Sequence, residues 1–129
     1  MVIKVKLFPI RENHLYSKAY QKGKKFVGRT VIVYLLQDYA SKKIALANPR
    51  KEKINRIGIT VTKKLGGATV RNRAKRIIRE AYRSADKKKT VRRGFLIVIV
   101  ARGSIVNAKM QDVEKDFLKA FEKLFSDSK

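Results

Sequence analysis

Residues 56–83 read RIGITVTKKLGGATVRNRAKRIIREAYR. The first part, 56–62, is short and rich in β-branched residues, which predicts a strand. Leu65-Gly66-Gly67-Ala68 then turns the chain, with Thr69 as the helix N-cap. From 69 to 83 the period changes. At 100° per residue, Val70, Ala74, Ile77, Ile78, Ala81 and Ala85 fall within a narrow arc, the apolar stripe of an amphipathic helix. Arg71, Arg73, Lys75, Arg76, Arg79 and Arg83 take the remaining circumference with Asn72, and Glu80 is the only acid among them. Cations at i,i+4 spacing repel one another, so a helix selected for stability alone would interleave acids. The pattern points to a polyanion against that face.

Downstream, 86–93 reads as a basic connector and 94–101 as a buried strand. The strand at 56–62, the cationic helix and this strand form a strand, helix, strand unit, which favours parallel neighbours in a mixed sheet. A last helix over 107–125 turns Val113, Phe117, Leu118, Phe121, Leu124 and Phe125 inward. Upstream, Pro9 precedes a helix over 11–22 that carries Leu15, Tyr16, Ala19 and Tyr20 on one side and ends at Gly23. Residues 29–36 (RTVIVYLL) read as a strand covered on both faces, with Tyr34 available to either surface. The stretch 38–55 holds Lys42, Lys43, Pro49, Arg50, Lys51 and Lys53 with little pattern and reads as an exposed basic loop. The order is αββαβα.

The chain has 129 residues, 44% of them hydrophobic, enough for a single domain over 1–129 with its own core. Its net charge is +23. That charge is uneven: 28 basic and 5 acidic residues lie in 1–105, whereas 106–129 holds five of each. A basic tail would concentrate charge at a terminus and lack apolar periodicity. Here it is spread over the patterned part, as in a folded nucleic-acid binder. Absence of Cys excludes disulfides and thiolate metal sites. The longest apolar run, 95–101, is far below the roughly 20 residues that span a bilayer. The opening MVIKVKLFPI lacks a signal-peptide core, so a cytoplasmic location is expected.

Catalysis by side chains finds little support. His14 is the sole histidine, lacks a nearby acid in sequence, and suits a surface or capping role. Two-metal hydrolysis needs clustered carboxylates. Glu12, Asp38, Glu52, Glu80 and Asp86 are scattered, and Asp112, Glu114 and Asp116 read as a solvated helix face rather than a metal site. The 65–68 turn lacks the GxxxxGK[ST] pattern of a triphosphate cradle. No catalytic or metal-ligating residue is assigned. An amphipathic membrane-surface role is disfavoured because the cationic helix needs its apolar face for the core. Tyr16, Tyr20 and Tyr34 suit either ordinary core packing or the stacking of bases.

Residues 56–83 closely resemble the signature region of the bacterial ribonuclease P protein subunit. The resemblance rests on the strand RIGITV, the pair Lys63-Lys64, the glycine turn, Arg71-Asn72-Arg73, Lys75-Arg76 and Arg79-Glu80. Upstream, Tyr16-Ser-Lys-Ala-Tyr20-Gln-Lys-Gly23 resembles the family's aromatic-x-x-x-aromatic helix, with Tyr16 where Phe is common, and VIVYLL fits its next strand. The resemblance spans about 7–125. It implies an α/β (α+β) two-layer sandwich, a mixed sheet in αβββαβα-like order with a left-handed β-α-β crossover, an exception to the usual hand.

The resemblance also implies a function. The family's protein binds a catalytic RNA, one protein per RNA, in a ribonucleoprotein endonuclease that removes the 5′ leader of precursor tRNA. The RNA holds Mg²⁺ and performs the hydrolysis, and the protein itself binds no cofactor. Carried onto this chain, Lys63, Lys64, Arg71, Asn72, Arg73, Lys75, Arg76 and Arg79 would meet the catalytic RNA, while Tyr16, Tyr20 and Tyr34 would stack leader bases in a cleft between the first helix and the sheet. The competing expectation is a ribosomal or general structured-RNA-binding protein.

Overall fold

A computed structural model describes residues 8–47, 54–88 and 93–126. Its sheet has five strands: β1 (Phe8–Pro9), β2 (Lys24–Val27), β3 (Val31–Gln37), β4 (Arg56–Thr60) and β5 (Phe95–Ala101), in the order β1-β4-β5-β3-β2. The strand, helix, strand unit takes the arrangement its sequence pattern favours. β4 and β5 are parallel neighbours from Arg56↔Leu96 to Thr60↔Val100, and α3 (Ala68–Lys88) connects them. β3 runs antiparallel to β5 over seven pairs, Val31↔Ala101 to Gln37↔Phe95. β2 pairs antiparallel with β3 at one edge, and β1 pairs parallel with β4 at the other.

Alternation along β3 divides the interior. Val31, Val33 and Leu35 join Ile57, Ile97 and Ile99 beneath α3 and α4 (Met110–Ser126). The intervening Tyr34 and Leu36 lie on the opposite face with Val98 and Val100, under α1 (Asn13–Lys22) and its buried Ala19. Both faces of β5 are covered, which explains its continuous apolar sequence. The arc drawn from α3's sequence is correct. Ala74, Ile77, Ile78, Ala81 and Ala85 are buried, with Val70 half-buried. Tyr82 joins them, its ring edge-on to Phe117 at 5.7 Å and to Phe121 at 5.8 Å. Full burial of a side chain the size of Ile78 stabilises the fold by about 1.5–3 kcal/mol, and each alanine contributes less.

Local chemistry corrects several expectations. Thr69 lies inside α3, because Gly67 supplies the first acceptor carbonyl, taking the N–H of Arg71 at 3.0 Å. Gly66 makes the preceding turn at φ 146°, a conformation that favours glycine. α3 also continues through the expected connector to Lys88. Ala85 extends its apolar stripe, and Asp86 is buried against Arg93 at 3.0 Å. The expected loop over 38–55 contains α2 (Ser41–Ala47), and its ends are buried: Asp38 is 2% and Asn55 4% exposed. Residues 48–53 lie outside the described residues. The last helix starts at Met110, after 3-10 turns over Gly103–Asn107. Strands β1 and β2 carry too little pattern to stand out in sequence.

Of the three carboxylates read as one solvated face, Asp112 is exposed but Glu114 and Asp116 are buried. Asp112 caps the helix by accepting the N–H of Lys109 at 2.9 Å. Glu114 is buried and pairs with Lys88 of α3 at 2.8 Å. Asp116, 4% exposed, accepts the backbone N–H groups of Arg29 and Thr30 and the Thr30 hydroxyl, fastening the β2–β3 turn to α4. Each carboxylate reaches a different part of the chain, which helical periodicity alone does not reveal.

Candidate nucleic-acid interface

The α1 face of the sheet is only partly covered. One ionic junction sets how α1 lies there. Arg56, at the start of β4, donates through Nε and Nη2 to Asp38 at 2.7 and 3.0 Å and through Nη1 to Glu12 at 2.8 Å. Glu12 is the N-cap residue of α1 and Asp38 follows β3, so one guanidinium ties three elements together. The Asp38 hydrogen bond, against the cost of burial, and then the Glu12 contact hold the Arg56 pKa above its ordinary value. At the other end, Gly23 closes α1 by donating its N–H to Ala19 at 2.9 Å.

Tyr16 and Tyr20, one helical turn apart, come off the same edge of α1. Gly58 lets Tyr16 lie against β4: a Cβ there would stand 2.5 Å from the ring. The Tyr16 hydroxyl donates to the Ile10 carbonyl at 3.4 Å, and burial, then the neighbouring Tyr20, raises its pKa. Tyr20 is 40% exposed and meets Tyr34 edge-on, 5.0 Å between ring centroids and 72° between planes. Its hydroxyl and that of Thr60 are hydrogen-bonded at 3.0 Å. Lys25, the cross-strand neighbour of Tyr34, sets its ammonium 6.0 Å from that ring. The three tyrosines named from sequence therefore come together, and Lys25, Gly58 and Thr60 join them. Of these, Gly58 was legible, since a glycine inside a strand pattern marks a close approach.

Two adjoining depressions open beside the tyrosines. One, of 440 Å³, is lined by Ile10, Tyr16, Tyr20, Thr60 and Lys75 among others. The other, of 380 Å³, passes around the β4 edge to Phe8, Ile59, Lys75, Arg79 and Arg83. Among the described residues, neither lining includes a carboxylate.

The cations named from sequence occupy distinct surroundings. Lys63 and Lys64 are exposed on a 3-10 turn before α3. Asn72, Arg76 and Arg79 are exposed, whereas Arg71, Arg73 and Lys75 are half-buried. Arg73 points toward the segment that leads into α4, donating from Nη1 to the Val106 carbonyl at 3.3 Å and from Nη2 to that of Ala108 at 3.1 Å. Lys75 lines both depressions. His14 is exposed in the first turn of α1. Among the described residues no three His, Asp or Glu side chains are grouped as a metal site requires, and no helix is long and apolar enough to cross a membrane.

A family model described as Ribonuclease P matches residues 6–125. The ribonuclease P protein component of Clostridium acetobutylicum is 35% identical over 114 residues, 88% of this chain and 86% of that protein. That of Alkaliphilus oremlandii is 31% identical over 115 residues, 89% of each chain. Among solved structures, the Staphylococcus aureus RNase P protein superposes with a TM-score of 0.66 at 26% identity, covering 93% of this chain and 96% of that one. The Thermotoga maritima RNase P protein has the same fold, with a TM-score of 0.68 at 23% identity over 89% of this chain and 96% of its own.

Proposed function

The chain belongs to the ribonuclease P protein family, and from that premise we propose that its two exposed chemistries divide the binding of RNA. It serves as the protein subunit of that ribonucleoprotein endoribonuclease and partners its RNA. In the proposed division, the tyrosine cleft takes the single-stranded 5′ leader of precursor tRNA. Exposed Lys63, Lys64, Asn72 and Arg76 meet the catalytic RNA, with Arg71 and Arg73 flanking them. Hydrolysis proceeds on the RNA, which supplies Mg²⁺, one protein to each RNA, in the cytoplasm. Residues 1–129 act as a single RNA-binding domain.

The observation that carries this reading is the grouping of the tyrosines: Tyr34 lies edge-on to Tyr20 with Lys25 near its ring, and Tyr16, Tyr20 and Lys75 line a depression whose described lining includes no acid. Aromatic faces accept any base, at about 1–3 kcal/mol per stacked base, so they suit a leader whose sequence varies. Neighbouring ammonium groups neutralise its phosphates and release counterions. The Tyr20–Tyr34 edge contact and the Thr60 hydroxyl hold the rings before the strand arrives, which lowers the entropy lost on binding.

Reconstitution with the RNA of the same source, using precursors with and without a leader, tests the proposal. The protein should increase affinity for the leader-bearing substrate over the leaderless one. Equal enhancement of both would favour general structured-RNA binding instead.

A further inference from the structure

α1 and β4 run side by side in the same direction, and their contacts form a ladder of three rungs. Glu12 meets Arg56 at 2.8 Å, the Tyr16 ring lies against Gly58, and the hydroxyls of Tyr20 and Thr60 are bonded at 3.0 Å. Four residues of helix rise about 6.0 Å and two residues of strand about 6.6 Å, so every fourth residue of one meets every second residue of the other. Arg56, Gly58 and Thr60 share one face of the sheet by alternation, while Ile57 and Ile59 turn to the core on the other. The rungs differ in what they fix. Gly58 offers only clearance, and a hydroxyl can rotate to follow its partner. The Arg56 fork is directional: Nη1 is given to Glu12 while Nε and Nη2 are held by the buried Asp38. Apolar packing holds α1 weakly, since Ala19 is its one buried residue. Glu12 occupies the N-cap yet makes no capping hydrogen bond to the helix, its carboxylate being turned to Arg56 instead. A half-exposed ion pair adds little stability, so this one is better suited to setting a position than to holding the fold.

We infer that Arg56 and Glu12 are a positioning pair, which sets the register of α1 on β4 and through it the places of Tyr16 and Tyr20 in the cleft. Neither side chain needs to touch RNA. Arg56 is 11% exposed and both of its carboxylate partners are the protein's own, so a cation that composition counts toward RNA binding is spent on geometry. A slip of α1 by a fraction of a rung would carry Tyr20 off Thr60 and Tyr34. It would leave the core beneath α3 and α4 untouched, because that cluster includes no residue of α1. The inference rests on the leader-binding reading of the tyrosine cleft.

The test uses Glu12→Ala, which removes a half-exposed carboxylate that caps nothing and leaves Arg56 on Asp38. In the free protein, NMR should show the ring resonances of Tyr16, Tyr20 and Tyr34 shifted and those of Tyr82 and Phe117 unchanged, which also verifies that the core is folded. In the holoenzyme reconstituted with RNA of the same source, Glu12→Ala should bind leader-bearing precursor tRNA about three- to fivefold more weakly, the size of a half-exposed ion pair. With mature tRNA it should match wild type. Tyr20→Ala should likewise lose affinity only for the leader-bearing substrate. Because Glu12 acts through the rings, adding Glu12→Ala to Tyr20→Ala should cost less than it does in the wild-type protein. Unmoved tyrosine resonances, full additivity of the two substitutions, unchanged leader affinity or an equal loss on mature tRNA overturns the positioning role, and the cleft reading stands as long as Tyr20→Ala is leader-selective. Equal loss by Tyr20→Ala on both substrates overturns both.

Discussion

The two flanks of α3 carry the same kinds of residue and meet opposite fates. On the α4 side charge is answered: Arg73 donates to two carbonyls, Lys88 pairs with Glu114, and Tyr82 packs between Phe117 and Phe121. On the α1 side, Lys75 and Arg79 line a cavity whose lining, among the described residues, includes no carboxylate. Composition does not distinguish these flanks, since both draw on one run of Arg and Lys. The placement of the few acids does. Glu114 and Asp116 are spent inside, fastening α4 to α3 and to the β2–β3 turn, and Asp38 and Glu12 are held by Arg56. In the proposed reading, Lys75 and Arg79, beside which the described lining places no acid, are among the cations left for RNA.

That contrast breaks most completely if the closed side is emptied. Phe117→Ala should cost about 3–5 kcal/mol of stability, through lost burial and the cavity left between Tyr82 and Phe121. Urea unfolding measures it, and a loss below 1 kcal/mol would show that α4 is not a main core contributor. The open side should respond in binding instead. Tyr20→Ala should weaken leader-bearing precursor by about 1–3 kcal/mol with little change in melting temperature. Gly58→Ala should produce a related loss by a different route, since its Cβ must displace the Tyr16 ring. If Gly58→Ala binds the leader normally, the position of that ring does not matter.

A sharper comparison uses two arginines three residues apart. Arg73→Gln should lower stability by about 1–1.5 kcal/mol through its lost hydrogen bonds. Arg76→Gln should leave stability unchanged and reduce the salt slope of RNA binding by about 0.7–0.9. Identical behaviour of the two would erase the division between flanks. The smallest effect is on pH dependence. Burial pushes Tyr82 up to about 12, so the stability gained by keeping its phenol neutral is complete below the ordinary pKa near 10 and declines as pH rises toward 12. An alkaline melting series should show a drop in that window that is missing in Tyr82→Phe.

Much of the fold was legible because its main elements carry one dominant period. β3 and β5 read as strands from apolar runs rich in β-branched residues, and α3 and α4 read as helices from stripes that the sheet covers. The tyrosines could be named from the resemblance, but their grouping could not be read from spacing. α2 was missed, and periodicity did not place the extra strand that the resemblance implied, β2, because seven and four residues are too few to establish a period and both are lysine-rich. The roles of Asp38 and Asp116 were hidden for another reason. Their partners lie 18 and 86 residues away, at Arg56 and Thr30.

The sequence by itself determined the strand, helix, strand unit, the family and the excess of positive charge, because periodicity, motif and composition are properties of the chain taken in order. Tertiary structure alone decided which cations are neutralised and which line a groove. A charge becomes structural or functional according to the groups that folding brings within a few ångströms, and those groups come from distant parts of the chain.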